Sequence, residues 1–220
     1  IAGFGFTRFE DNTVSNNLLM SNTATSHQST TTLFSIRMYS LITNNIFANN
    51  VAPILLVSSY AGKITNNQFK NNLGRNLLVQ NYDNGDFKVE NNVFANNIMS
   101  GALVQLFSCY LENGGYCYGT NTFSNNMLQE NNATMLIEVF GNKLNVTFNL
   151  HSNNVYKYQL KNSNTFNNIV LDARFNYWGT VDENAILASI YGFNQNLNNG
   201  IVAFSPYLSQ NSVSSPLIHA

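Results

Sequence analysis

Charge is what this chain has least of. Asp, Glu, Lys and Arg make up 10% of its 220 residues, against roughly 25% in an average domain. The net charge is −1, with no basic run and no acidic tail. A phosphate backbone needs a positive stripe, so nucleic acid is not an expected partner. No stretch of about 20 mostly apolar residues occurs, so no membrane span is expected in this segment. Only 11 acids are present, and no oxygen-rich calcium loop can be built from them. His27, His151 and His219 stand far apart, without the close spacing of a zinc motif. No Gly-x-Ser-x-Gly elbow and no Gly-rich phosphate loop appears. Neither a metal nor a cofactor is expected.

Asparagine takes the place of the missing charge. It supplies roughly one residue in five, several times its usual share. Such bias is compatible with a disordered tract. The apolar residues argue against that: they amount to 44% and include 16 Phe. Their regular placement allows burial to offset chain ordering.

A phrase recurs. Ile42-Thr-Asn-Asn-Ile-Phe47-Ala-Asn-Asn50 returns from Ile64 to Asn72 and from Val89 to Asn97, with looser copies at 118–126 and 160–168. Its Phe anchors are Phe47, Phe69, Phe94, Phe123, Phe148 and Phe166, spaced 18 to 29 residues apart. Recurrence on this scale signals stacked repeats. Thr, Val, Ile and Phe flanked by Asn and Gly favour short strands and turns over helices. Further apolar strands are expected near 33–36, 53–57, 76–79, 102–107 and 134–140. Each repeat then holds two or three short strands, about one turn of a parallel β-solenoid.

Asn suits the corners of such a coil. It tolerates the left-handed αL conformation, and its amide both donates and accepts. Amides stacked at one corner can bond along the coil as a ladder. The aligned positions, two before each Phe, are Asn45, Asn67, Asn92, Asn121 and Asn164. The six Phe rings are expected to stack inward. Val146 interrupts the ladder position before Phe148, which predicts an irregular rung over 142–158. Ser15-Asn-Asn-Leu-Leu19 resembles the phrase weakly, and 21–32 reads as an exposed loop.

After Phe166 the pattern changes. Residues 169–179 read as a last rung, and Asp182 as the N-cap of a helix over 183–191 stopped by Gly192. Residues 200–208 read as a final strand. The expected organisation is rungs over 1–180 and a helix-and-strand cap over 181–220, within one domain. A solenoid needs an atypical terminal unit, and Trp178 is expected as a buried residue of that cap, with stacking on a sugar as the weaker alternative.

These residues resemble the right-handed parallel β-helix repeat family, the pectin-lyase-like fold. The phrase Ile/Val-x-Asn-Asn-x-Phe-x-Asn-Asn carries the resemblance over about 40–170. The ending Asp172-Ala-Arg-Phe-Asn-Tyr-Trp-Gly-Thr180, with the helix and Gly200–Leu208 after it, is most similar to β-helix modules of bark beetle-like animal cell-junction proteins. A similar Asn-Tyr-Trp-Gly ending occurs in bacterial surface and periplasmic β-helix proteins. The resemblance implies an all-β, right-handed parallel β-helix of about six or seven rungs. It also implies a non-catalytic extracellular scaffold or recognition module that serves cell–cell adhesion. The alternative is a carbohydrate-active enzyme, as many β-helix proteins are, or a sugar-binding module.

Chemistry of the enzyme kind needs clustered carboxylates or a basic group near a bound cation. Asp83 and Asp86 flank an Asn-Gly pair and read as a solvated turn. Asp172 and Arg174 share a face of a strand. They read as a structural ion pair, with a catalytic role as the weaker alternative. The Asp-Asp and Gly-His-Gly motifs of polygalacturonases and the Arg-rich signature of pectate lyases are absent. Cys109 and Cys117 bracket an Asn-Gly-Gly reversal and are candidates for a disulfide, with two buried thiols as the alternative. Asn132-Ala-Thr134 and Asn145-Val-Thr147 are glycosylation sequons. With the cysteines they lean towards an extracellular or cell-surface location, and the start at Ile1 suggests a piece of a longer chain. The expected partner is a protein or carbohydrate at a cell surface.

Overall fold

The chain folds as a parallel β-helix. The computed structural model describes residues 7–19, 32–37, 40–59, 62–81, 86–107, 121–141, 144–164 and 170–219. The first rung is β1 (Thr7–Glu10), β2 (Thr13–Ser15) and β3 (Thr32–Arg37); the second is β4 (Ser40–Thr43), β5 (Ile46–Ala48) and β6 (Val51–Ser59). The third is β7 (Gly62–Thr65), β8 (Gln68–Lys70) and β9 (Leu73–Asn81); the fourth is β10 (Phe87–Glu90), β11 (Val93–Ala95) and β12 (Ile98–Phe107). The fifth is β13 (Asn121–Ser124), β14 (Met127–Gln129) and β15 (Asn132–Phe140); the sixth is β16 (Leu144–Thr147), β17 (Leu150–Ser152) and β18 (Val155–Asn162). A shorter seventh turn follows: β19 (Val170–Asp172), helix α1 (Glu183–Ser189) and β20 (Ile190–Tyr191). Then come β21 (Ile201–Ala203) and the antiparallel pair β22 (Tyr207–Leu208) and β23 (Leu217–Ile218).

Three parallel sheets result. The first strands of the rungs form an eight-stranded sheet that β21 completes, the second strands a six-stranded sheet, and the third strands a seven-stranded sheet that β20 completes. The helix is shorter than the sequence suggests. Asp182 caps it as expected, accepting from Asn184 N at 2.9 Å, but Ile190 and Tyr191 leave it to pair with β18. The final strand is split into β21 and β22, with residues 204–206 between them.

The repeat is shorter inside than outside. Each phrase is two copies of one five-residue word: an apolar residue, a variable one, two Asn and another variable one. Phe9, Ile42, Ile64, Val89, Phe123 and Val146 start the first copy and pair in register. Val14, Phe47, Phe69, Phe94, Leu128 and His151 start the second. Both columns point inward, and most of their members are fully buried. Phe47, Phe69 and Phe94 stack with centroids 4.9 Å apart and planes within 7° of parallel. Burial contributes about 1.5–3 kcal/mol per ring, with a further ~0.5–1.5 kcal/mol for each stacked pair.

This word corrects several expectations. Phe123 belongs to the first column, not to the one containing Phe94. Phe148 does not stack inward: it is 38% exposed and lies outside against Phe175, centroids 5.0 Å apart. The rung expected to be irregular over 142–158 is regular over its described residues 144–158, because Val146 is its core residue and not a failed ladder position. Val14–Leu18, overlapping what reads as a weak copy, is a full one, in register with the next rung. Phe166, His27, Asp83, the pair Cys109 and Cys117, and most of loops 21–32, 81–86 and 109–117 lie outside the described residues.

Candidate functional site

The two Asn of each word divide the work. The first takes the αL conformation and faces solvent, as at Asn44, Asn66, Asn91 and Asn125, with φ of 55–58°. The second turns inward and bonds along the coil. Two ladders follow, five residues apart. In the first, Asn12, Asn45, Asn67, Asn92, Asn126, Asn149 and Asn176 each pass their backbone N–H to the side-chain oxygen of the next, at 2.8–3.0 Å. In the second, Asn17, Asn50, Asn72, Asn97, Asn131 and Asn154 do the same at 2.9–3.1 Å. The amide Nδ2 groups bond to the same oxygens and to strand carbonyls, so these buried groups leave little unpaired.

Asn45, Asn67 and Asn92 therefore stand in the ladder as expected, while Asn121 and Asn164 stand elsewhere. Asn121 is buried at the start of β13 and accepts from Phe87 N at 3.0 Å. Asn164 accepts from Gly141 N and donates to Asn162 at 2.7 Å. The αL corner is held by Phe148 and Phe175 in the sixth and seventh turns, φ 58° and 62°. A bulky side chain is rare there, and these two stack on each other.

The last rungs break the hydrocarbon core. His151 follows Leu128 in the second column and is buried. Its ring lies 5.5 Å from that of Trp178, which is buried as expected of a cap residue. Burial lowers the His151 pKa to about 4, with Gln159 offsetting part of the shift. Gln159 donates to Tyr156 Oη and Trp178 O, both at 2.8 Å. Both His151 nitrogens, Gln159 Oε1 and Trp178 Nε1 are buried without a hydrogen-bond partner. These three side chains share the wall of a cavity of about 240 Å³, with Asn154, Tyr156 and Thr180.

A polar row crosses the seven-stranded sheet. Asn76 Nδ2 donates to Gln105 at 3.0 Å, Gln105 Nε2 donates to buried Glu138 at 2.7 Å, and Lys161 Nζ bonds Glu138 at 2.8 Å. Every member is thereby paired. Asp172 and Arg174 form a two-pronged ion pair at 2.9 Å and 2.9 Å. The Arg174 hydrogen bond holds the Asp172 carboxyl below its usual pKa. No other ionisable side chain is bonded to this pair among the described residues.

The outer face is apolar along one line. The residue after each second-ladder Asn points outward: Leu18, Val51, Leu73, Ile98, Asn132 and Val155. All six are exposed, and a shallow groove of about 600 Å³ runs past Leu73, Ile98, Ala133 and Val155. The sequon residue Asn132 lies within this line. The other, Asn145, is half-buried on β16 in register with Asp172. No described helix is long and apolar enough to cross a membrane.

Sequence reasoning missed the His151–Gln159–Trp178 cluster and the exposed line. The five-residue word places Leu73 beside Ile98 and His151 in the Phe column, but Gln159 and Trp178 reach His151 only through the coil. No protein-family model, curated protein or solved structure matches the chain.

Proposed function

We propose that the chain is a non-catalytic, extracellular scaffold and recognition module, part of a cell-surface protein that assembles cell–cell contacts in an epithelium. The observation that carries this reading is the exposed line from Leu18 to Val155, aliphatic but for Asn132. Exposed apolar patches of this kind mark interaction surfaces. The second Asn ladder lies one residue behind it and fixes its register, so the face is rigid before any partner arrives. Preorganisation of that sort lowers the ordering cost of binding. The similarity of the 172–208 segment to bark beetle-like modules supplies the cell-junction context. The closed Asp172–Arg174 pair is consistent with a structural role and favours this reading over polysaccharide chemistry.

The test displays the chain on non-adherent cells and scores their aggregation, alone and with epithelial cells. The double substitution Leu73→Gln and Ile98→Gln replaces two exposed, directly paired side chains with uncharged polar ones, so the fold is retained and stability changes by about 0.5 kcal/mol or less per site. Aggregation by the native chain, lost in the double variant, is the expected result. Aggregation insensitive to these residues contradicts the reading. So does turnover of any uronate or neutral polysaccharide that Asp172→Asn abolishes.

A further inference from the structure

The second ladder ends at the cavity beside His151. At each earlier rung an Asn presents two donors, its backbone N–H and its Nδ2–H, to one amide oxygen. Asn50 holds Asn72 Oδ1 at 3.1 and 3.1 Å, Asn97 holds Asn131 Oδ1 at 3.1 and 2.9 Å, and Asn131 holds Asn154 Oδ1 at 2.9 and 3.0 Å. Asn154 has the same two donors. Its Nδ2 bonds Leu128 O at 2.7 Å, but no further Asn follows: Val181 stands five residues after Asn176. Among the described residues no oxygen takes the place of the next amide.

The wall around this end is short of partners in a matching way. Among the described residues, four of the seven buried side-chain atoms without a hydrogen bond belong to His151, Gln159 and Trp178. Trp178 Nε1 is a donor only, and Gln159 Oε1 an acceptor only. A neutral imidazole offers one of each. Among the described residues no carboxylate, Lys or Arg lines the cavity, and burial keeps His151 uncharged near neutrality. Such groups are seldom left unpaired, because each costs desolvation. At about 240 Å³ the cavity is large compared with the roughly 30 Å³ share of one water.

We propose that this cavity binds a primary carboxamide, as carried by an Asn or Gln side chain, and so extends the second ladder by one amide. The amide oxygen sits on the two Asn154 donors, as Asn oxygens do at each earlier rung. In the structure these atoms are closed off from solvent; a turn of the Gln159 and His151 side chains brings Gln159 Oε1 and the acceptor nitrogen of His151 to the amide nitrogen, and Trp178 Nε1 then donates to its oxygen. Tyr156 lines both this cavity and the lateral groove, but the test of the site does not depend on cell adhesion.

The chain has a single Trp, so its indole N–H gives one resonance in a ¹⁵N-correlated spectrum. That resonance is followed while the native chain is titrated with propionamide, and in parallel with propionate and with glucose. A saturable shift in the millimolar range with propionamide, absent with propionate, is the expected result. Asn154→Asp keeps the oxygen that Asn131 needs and removes one donor; it should weaken propionamide at least tenfold, and Gln159→Leu should do the same. No saturable shift, an equal shift with propionate, a shift with glucose in place of propionamide, or unchanged affinity in both variants overturns the proposal. The first of these would assign the cavity to water alone.

Discussion

One core column changes character along its length. Phe47, Phe69 and Phe94 form a hydrocarbon stack with rings 4.9 Å apart and nearly parallel. Two rungs beyond Phe94 the same column holds His151, and then Trp178, tilted by 38° and carrying buried polar atoms without partners. The backbone register is the same at both ends, because the flanking corners are the same: Asn67 and Asn92 beside the Phe stack, Asn149 and Asn176 beside the polar end. Corner amides hold the coil in step, and the core column is free to vary. That freedom lets a solenoid carry a polar cavity without losing its shape.

The largest expected contrast lies in truncation of this column. Phe94→Ala removes a fully buried ring from the stacked end and should cost about 3–5 kcal/mol in urea unfolding. His151→Ala should cost clearly less, because it also removes two unpartnered nitrogens. Equal losses would mean that the two ends do not differ as described.

Acid should sharpen the same comparison. His151 has a folded-state pKa of about 4 against an ordinary 6.5. Above pH 6.5 the ring is neutral in both folded and unfolded chains and has no effect. As pH falls from 6.5 towards 4, the unfolded chain takes up a proton that the folded chain refuses, so stability falls; below the folded pKa the loss levels off. The total is about 3 kcal/mol. In His151→Phe this component should vanish and the stability at neutral pH should rise. A native pH profile that the substitution leaves unchanged would place His151 in contact with solvent.

Much of this was legible in the sequence. The all-β solenoid, the rung count, the Asp182 cap, buried Trp178 and the Asn corners follow from the phrase and its ending. The misplaced ladder and core positions share one cause. The phrase is a five-residue word said twice, so an alignment can slip by one word and still match Asn to Asn. In the fifth rung Phe123 begins the first word, where Ile42, Ile64 and Val89 stand in earlier rungs. Taking it for the second word moved the ladder from Asn126 to Asn121 and made Val146 look like a defect. Pairing across rungs resolves the ambiguity, because only one register aligns both Asn columns at once. The cavity was illegible for a different reason: it is formed by residues 151, 159 and 178, brought together by the coil and not by any local motif.

The central claim is that neighbouring Asn residues do different jobs, one bending the chain and the next bonding along the coil. It is tested most directly by one substitution made twice. Asn125 sits at φ 55° and is exposed, so Asn125→Gly, which suits αL, should change the unfolding free energy by only a few tenths of a kcal/mol. Asn126 bonds Val89 O and Asn149 and holds the Asn92 amide; Asn126→Gly should cost about 2–3 kcal/mol or more, since each buried group it abandons costs ~1–3 kcal/mol. Equal losses at the two positions, or a larger one at Asn125, would contradict the ladder and its register.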